Sequence, residues 1–117
     1  ELIEMSMGLL GKVPSGLEIA KTATSLKEEA AARRIQTGDP QFDEAVFVKG
    51  DNNAEVLSYL TTGRRKSILE LLAWESAEWV GVRDRRVILI ERRMVSSLPH
   101  LEKRFHFLFD IARRLDG

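Results

Sequence analysis

Asp39, Asp43 and Glu44 stand close together in this chain, with Asp51 a little further on. Hard cations such as calcium and magnesium need several oxygens converging on one point, and the first three carboxylates are compact enough to offer some. A metal-dependent hydrolase is the activity such a centre would serve. The spacing meets no calcium-loop pattern. Asp39 and Asp51 also have a local use, since Asp at a turn or at a strand-to-helix boundary bonds nearby backbone N–H groups. Asp43 and Glu44 have no such evident use in the sequence.

A second group is cationic. Thr62-Gly63-Arg64-Arg65-Lys66-Ser67 has the residue types for an anion at a helix N-terminus, free N–H groups with cations beside them. Arg64, Arg65 and Lys66 are therefore candidate ligands for a phosphate or an acidic lipid headgroup. The segment lacks the first glycine and the spacing of a Walker loop, and as plain structure it is a capped helix start. The two histidines, His100 and His106, are six apart and do not share a helix face. Glu102, His106 and Asp110 form an i,i+4 ladder that reads equally as a solvated helix face. No serine sits in a G-x-S-x-G or S-x-x-K pattern. Cysteine is absent, which excludes disulfides, thiolate metal sites and thiol nucleophiles. No cofactor is implied.

The elements that must position these residues follow from periodicity and punctuation. Residues 1–16 mix apolar side chains with Gly8, Gly11, Pro14 and Gly16; they suggest an amphipathic turn or two, or a connector from an upstream segment. Residues 17–24 alternate as a strand, and 31–36 read as a hairpin arm, with a helix over 26–36 as the competing assignment. Thr37 to Pro40 is a turn, and 45–49 a short buried strand on Val46, Phe47 and Val48. Asn52 and Glu55 form a capping box that opens a helix with Val56, Leu57 and Leu60 inward. Thr62 is placed to cap a second helix reaching Trp74. Residues 77–82 and 87–92 form the strongest strand pair, joined by a tip without glycine that calls for a slightly longer loop. A helix over 97–115 shows one continuous face of Leu98, Leu101, Phe105, Leu108, Ala112 and Leu115.

The order β-β-β-α-α-β-β-α predicts an α+β domain, an antiparallel sheet with helices packed on one face. Residues 1–16 form the connector and 17–117 the single domain. The length suits one domain with its own core. Net charge is zero, with six Lys/Arg against ten Asp/Glu in residues 1–60 and twelve against eight in 61–117. Such halves neutralise one another when packed, and a nucleic-acid partner is not indicated. Phe47, Trp74, Trp79, Phe105 and Phe109 fall on apolar stripes and read as core; Phe42, Tyr59 and Phe107 are left as possible stacking platforms. No uncharged run exceeds eight residues, too short to cross a bilayer. The chain opens on Glu1 and reads as a fragment or processed product, with targeting information upstream.

Residues 31–115 resemble a family of uncharacterised bacterial proteins that often follow transmembrane helices. The resemblance rests on Gly38-Asp39-Pro40-Gln41-Phe42-Asp43, then Phe47-Val48, Asp51, Leu57, Leu60-Thr61, Arg65, Leu69 and Leu71-Leu72. The chain departs at the hairpin tip, where Asp84-Arg85 replaces an expected Asp-Gly. The resemblance carries no catalytic residue. It implies a membrane tether through a segment before Glu1 and a soluble domain at the cytoplasmic face of a bacterial membrane. The expected function is a non-enzymatic interaction domain, contacting a protein partner or itself. The alternatives are an anion-binding module on Arg64, Arg65 and Lys66, and a metal-dependent hydrolase on Asp39, Asp43 and Glu44.

Overall fold

The computed structural model describes residues 2–21, 34–74, 77–92 and 98–116. Its elements run β1 (Leu2–Gly8), β2 (Glu18–Lys21), α1 (Pro40–Ala45), β3 (Val46–Lys49), α2 (Asn53–Tyr59), α3 (Thr62–Leu72), β4 (Ala77–Arg83), β5 (Arg86–Arg92) and α4 (Leu98–Asp116). The five strands form one antiparallel sheet in the order β1-β5-β4-β2-β3. The α+β class holds, and the order gains two elements that were not expected.

The first difference is β1. Residues 2–8 belong to the domain's own sheet, neither helical turns nor a connector. Ile3, Met5 and Met7 alternate with Glu4 and Ser6, and a period of two sends the first set under the helices. The second is α1, a helix of six residues where a turn alone was expected. Asp39 caps it by accepting from the backbone N–H of Phe42, and Pro40 occupies a first-turn position where a missing N–H costs nothing. The turn before it holds as expected, with Gly38 at φ +90°. The strand over 17–24 is seen from Glu18 to Lys21; residues 22–24 and 31–33 lie outside the described set, and Arg34, Ile35 and Gln36 are not in a strand.

One core joins the sheet to the helices. Met5, Ile19, Val46, Val48, Val80, Val82, Val87 and Leu89 from the strands meet Phe42, Val56, Leu60, Ile68, Leu71, Leu108, Ile111 and Leu115 from all four helices. Phe42 is fully buried and Tyr59 nearly so, so neither is a stacking platform. Leu57, expected inward, is exposed, because α2 is oriented by Val56, Tyr59 and Leu60. The N-cap of α3 is Thr61, one residue before the expected Thr62, and its hydroxyl accepts from the N–H of Arg64. The opposite sheet face carries Ala20, Phe47 and Ile88, buried outside this cluster. Gly81 lies on that face, and a Cβ there would come within 2.0 Å of the Ile19 carbonyl oxygen, so no larger residue fits between β2 and β4.

The helices attach to the sheet by polar contacts as well. Arg104 on α4 grips Glu91 on β5 through Nε to Oε1 and through Nη2 to Oε2 at 3.2 Å, while Trp74 packs on Phe107 with ring centroids 4.6 Å apart. The side chain of Glu91 is almost wholly buried, so this charge depends on its partner.

The β4–β5 hairpin corrects another expectation. Arg83 pairs with Arg86 across a two-residue tip, shorter than foreseen. Asp84 and Arg85 both adopt positive φ, 53° and 61°, the conformation of a type I′ turn built without glycine. The left-handed region costs an L-residue about 1–2 kcal/mol. Arg85→Gly is therefore expected to match or raise the melting temperature, while the β-branched Arg85→Val lowers stability by about 1–2 kcal/mol. A thermal melt in which valine is tolerated as well as glycine would refute the strained turn.

Candidate interaction site

The three carboxylates proposed for a metal do not converge. Asp43 turns back onto the preceding turn: its oxygens accept from the Thr37 N–H at 2.9 and 3.1 Å, from the Thr37 hydroxyl at 2.8 Å and from the Gly38 N–H at 3.0 Å. Asp39 caps α1 and lies 3.4 Å from Nε of Arg65, an ionic contact without hydrogen-bond alignment. Glu44 is exposed on the helix surface. Among the described residues no three His, Asp or Glu side chains are grouped to hold a metal ion. Asp51 also serves a turn: it accepts from the Ser15 hydroxyl at 2.9 Å, while its own N–H donates to the Ser15 carbonyl at 3.0 Å. Gly16, at φ +71°, leaves the room, since a Cβ there would sit 2.5 Å from the Asp51 carboxylate.

The cationic triplet is likewise separated. Arg64 Nε donates to the Leu115 carbonyl at 2.9 Å and Nη1 to the Tyr59 carbonyl at 3.0 Å, with its guanidinium 4.4 Å from the Tyr59 ring centre. Arg65 Nη1 donates to the Leu60 carbonyl at 2.7 Å and Nη2 to the Thr62 hydroxyl at 3.3 Å. These two arginines close the C-terminal ends of α2 and α4, where cations complement the exposed carbonyls. Lys66 points to solvent. The structure gathers Lys12 and Arg85 near Arg64 instead, around a cleft of about 530 Å³ that Glu55, Ser58 and Tyr59 also line. The helical ladder on α4 is solvent-facing at Glu102, His106 and Asp110, and only its Asp110–Arg114 step, 3.2 Å, closes as an ion pair.

The site that sequence reasoning missed is an edge. Phe105 and Phe109, expected in the core, are 47% and 48% exposed. The buried face of α4 is set by Leu108, Ile111, Ala112 and Leu115. At 100° per residue, Phe107 and Arg114 fall on one flank of that face, and they meet Trp74 and Glu70 on the α3 side. Phe105 and Phe109 fall on the opposite flank, together with Asp116. Asp116 marks where that flank lies: its Oδ1 accepts from the N–H groups of Leu10 and Gly11, both at 2.8 Å, just past the end of β1. The two phenylalanines thus overhang β1, the end strand of the sheet. Leu2 (58% exposed) and Leu10 (87%) lie on and just after the same strand.

Among the described residues this edge is also poorly guarded. β1 carries one charge, Glu4, in its seven residues and no proline. Edge strands that must stay unpaired are usually blunted by lysine, proline or a covering segment. The other edge, β3, has such a cover: the Ile35 N–H donates to the Val48 carbonyl at 2.9 Å and Arg34 Nη2 to the Val46 carbonyl at 3.2 Å.

Two of these contacts have a pH signature. Burial would raise the Asp43 carboxyl, but the donors of Thr37 and Gly38, with Arg34 nearby, outweigh it and hold it below its ordinary 3.8. A lowered carboxyl stabilises the fold above the unfolded value and loses that contribution as pH falls through the folded one. Asp43→Asn is expected to lower stability at neutral pH and to flatten the acid limb below about pH 4 in a urea titration; an unchanged acid limb would refute the anchor. Burial pushes the Tyr59 phenol up to about 12, so between roughly pH 10 and 12 the folded chain holds a proton the unfolded chain has lost, and stability declines there. Tyr59→Phe keeps the ring but loses its 2.8 Å hydrogen bond to the Leu115 carbonyl. The variant is expected to lose about 1 kcal/mol at neutral pH and to lack that alkaline decline.

A scan against protein-family models finds no match, and searches of curated proteins and of solved structures return none either.

Proposed function

We propose that this domain is a non-enzymatic interaction module whose contact surface is the β1 edge together with the Phe105–Phe109 flank of α4. The observation that carries the reading is the concentration of exposed apolar side chains there. Leu2, Leu10, Phe105 and Phe109 are four of the five large hydrophobics exposed among the described residues. An open strand edge supplies backbone donors and acceptors, and a neighbouring apolar flank supplies area, which together suit strand addition.

The residues first considered for chemistry support the same reading from the other side. Asp43 anchors a turn, Asp39 caps a helix, and Arg64 and Arg65 clamp helix ends, so each has a structural occupation. No described helix is long and apolar enough to cross a membrane. The tether through a segment before Glu1 belongs to this proposal and is supported by the resemblance of residues 31–115 alone.

Sedimentation across a wide concentration range tests the reading. The mass is expected to rise above the 13.3 kDa of one chain, or a protein partner to co-migrate. Phe105→Ser with Phe109→Ser is expected to abolish that association while changing stability by no more than about 0.5 kcal/mol per exposed site. A strict monomer that binds no protein, or association indifferent to both substitutions, would sink it.

A further inference from the structure

We infer that the occupant of this edge is a second copy of the same chain, joined by antiparallel pairing of β1 with β1 about a two-fold axis at Met5. The inference rests on the interaction reading above and specifies its partner.

Three features of the edge make it self-complementary. The first is register. A two-fold at Met5 sets Leu2 against Gly8, Ile3 against Met7 and Glu4 against Ser6 of the second copy. No like charges face each other, and the core-side pairs are apolar throughout, as antiparallel cross-strand pairing favours. A slip of one residue would turn the apolar set of one strand toward the open face of the other.

The second is the helix layer. α4 lies over β1 and β5, with α3 beside it over β4. Neighbouring strands are about 4.8 Å apart, so the pairing separates the two α4 axes by about two strand spacings, roughly 9.6 Å. Packed helices sit about 8–10 Å apart. The strand pairing thus brings the two helices to packing distance without adjustment. The flanks that meet are those carrying Phe105 and Phe109, and the sheet continues through ten strands with one helix layer.

The third is charge. Arg86 reaches across to β1, its Nε donating to the Ser6 hydroxyl at 3.0 Å. In the proposed register Ser6 faces the second copy's Glu4, so the Arg86 guanidinium held on Ser6 lies beside an opposite charge two strands from its own. Glu4 is the only charge on β1, and the pairing gives it a cation.

The chain has no cysteine, which makes a register test direct. Glu4→Cys and Ser6→Cys are prepared as separate proteins; both sites face away from the core cluster. In the proposed dimer Glu4 opposes Ser6, whereas Glu4 lies diagonal to Glu4 at about 7–8 Å, beyond easy disulfide reach. Oxidation of the equimolar mixture is expected to give at least about fivefold more covalent dimer than either variant alone. Circular dichroism confirms that both remain folded. As a second arm, Phe105→Glu with Phe109→Glu in the cysteine-free chain is expected to weaken self-association at least about 30-fold by sedimentation.

Equal or greater crosslinking in the single variants would overturn the register. A wild-type monomer would overturn the dimer, and if that monomer still binds another protein through Phe105 and Phe109, the interaction reading survives its loss. A dimer that forms without mixed crosslinking and ignores the Phe→Glu changes would overturn both.

Discussion

The carbonyl of Leu115 is where the fold closes. The last carbonyls of a helix have no partner within the helix, and burying one without a donor costs on the order of 1–3 kcal/mol. Here the Tyr59 hydroxyl and Arg64 Nε both donate to it, from α2 and from the first turn of α3. One residue further, Asp116 accepts from Leu10 and Gly11 beyond β1. One helix end is thereby tied to three other parts of the chain. Near its opposite end α4 is held by the Glu91–Arg104 pair. Fixed at both ends, α4 has its rotation set, and Leu108, Ile111, Ala112 and Leu115 turn inward. The flank bearing Phe105 and Phe109 is left over the sheet edge as a consequence.

That constraint also explains why the cations near residue 64 do little at the surface. Arg64 reads as a free anion ligand only while α4 is out of view. Once the helix C-terminus arrives, its carbonyl is the nearest electronegative group, and the guanidinium serves as its cap. Arg65 repeats the arrangement on the Leu60 carbonyl. The opposed charges of the two halves meet in Arg65 with Asp39, whereas other ion pairs, such as Arg92 with Glu78, close within the second half.

The two sheet edges differ in how they end, and the difference orients the molecule's exposed apolar surface. β3 is covered by Arg34 and Ile35, whereas β1 ends the sheet with one charge and no proline. The hairpin beside it, β4–β5, is closed by Asp84 and Arg85 in left-handed conformation, so the sheet that β1 joins is built on a strained but tight turn.

Local pattern carried much of this fold. The 3.6 period over 98–115, the N-cap at Asn52, the Gly38–Pro40 turn and the apolar runs of β3, β4 and β5 depend on neighbours within a few residues, and all appear where the sequence places them. α1 was hidden because six residues are too few to show a period. β1 was hidden because its alternation spans only Ile3 to Met7 and glycines follow it. The hairpin tip was misjudged because Asp84 and Arg85 are not the residues that usually accept positive φ. The candidate site was the least legible part. Asp43 looked spare until the fold set its carboxylate beside Thr37 and Gly38, and Phe105 looked buried until α4 met α3 on one side only. By itself the sequence determined β2 to β5 and α2 to α4 and that they must share one core, since propensity and periodicity are local. Only the tertiary structure decided which strand ends the sheet and which aromatic rings stay exposed, because both depend on contacts between segments far apart in the chain.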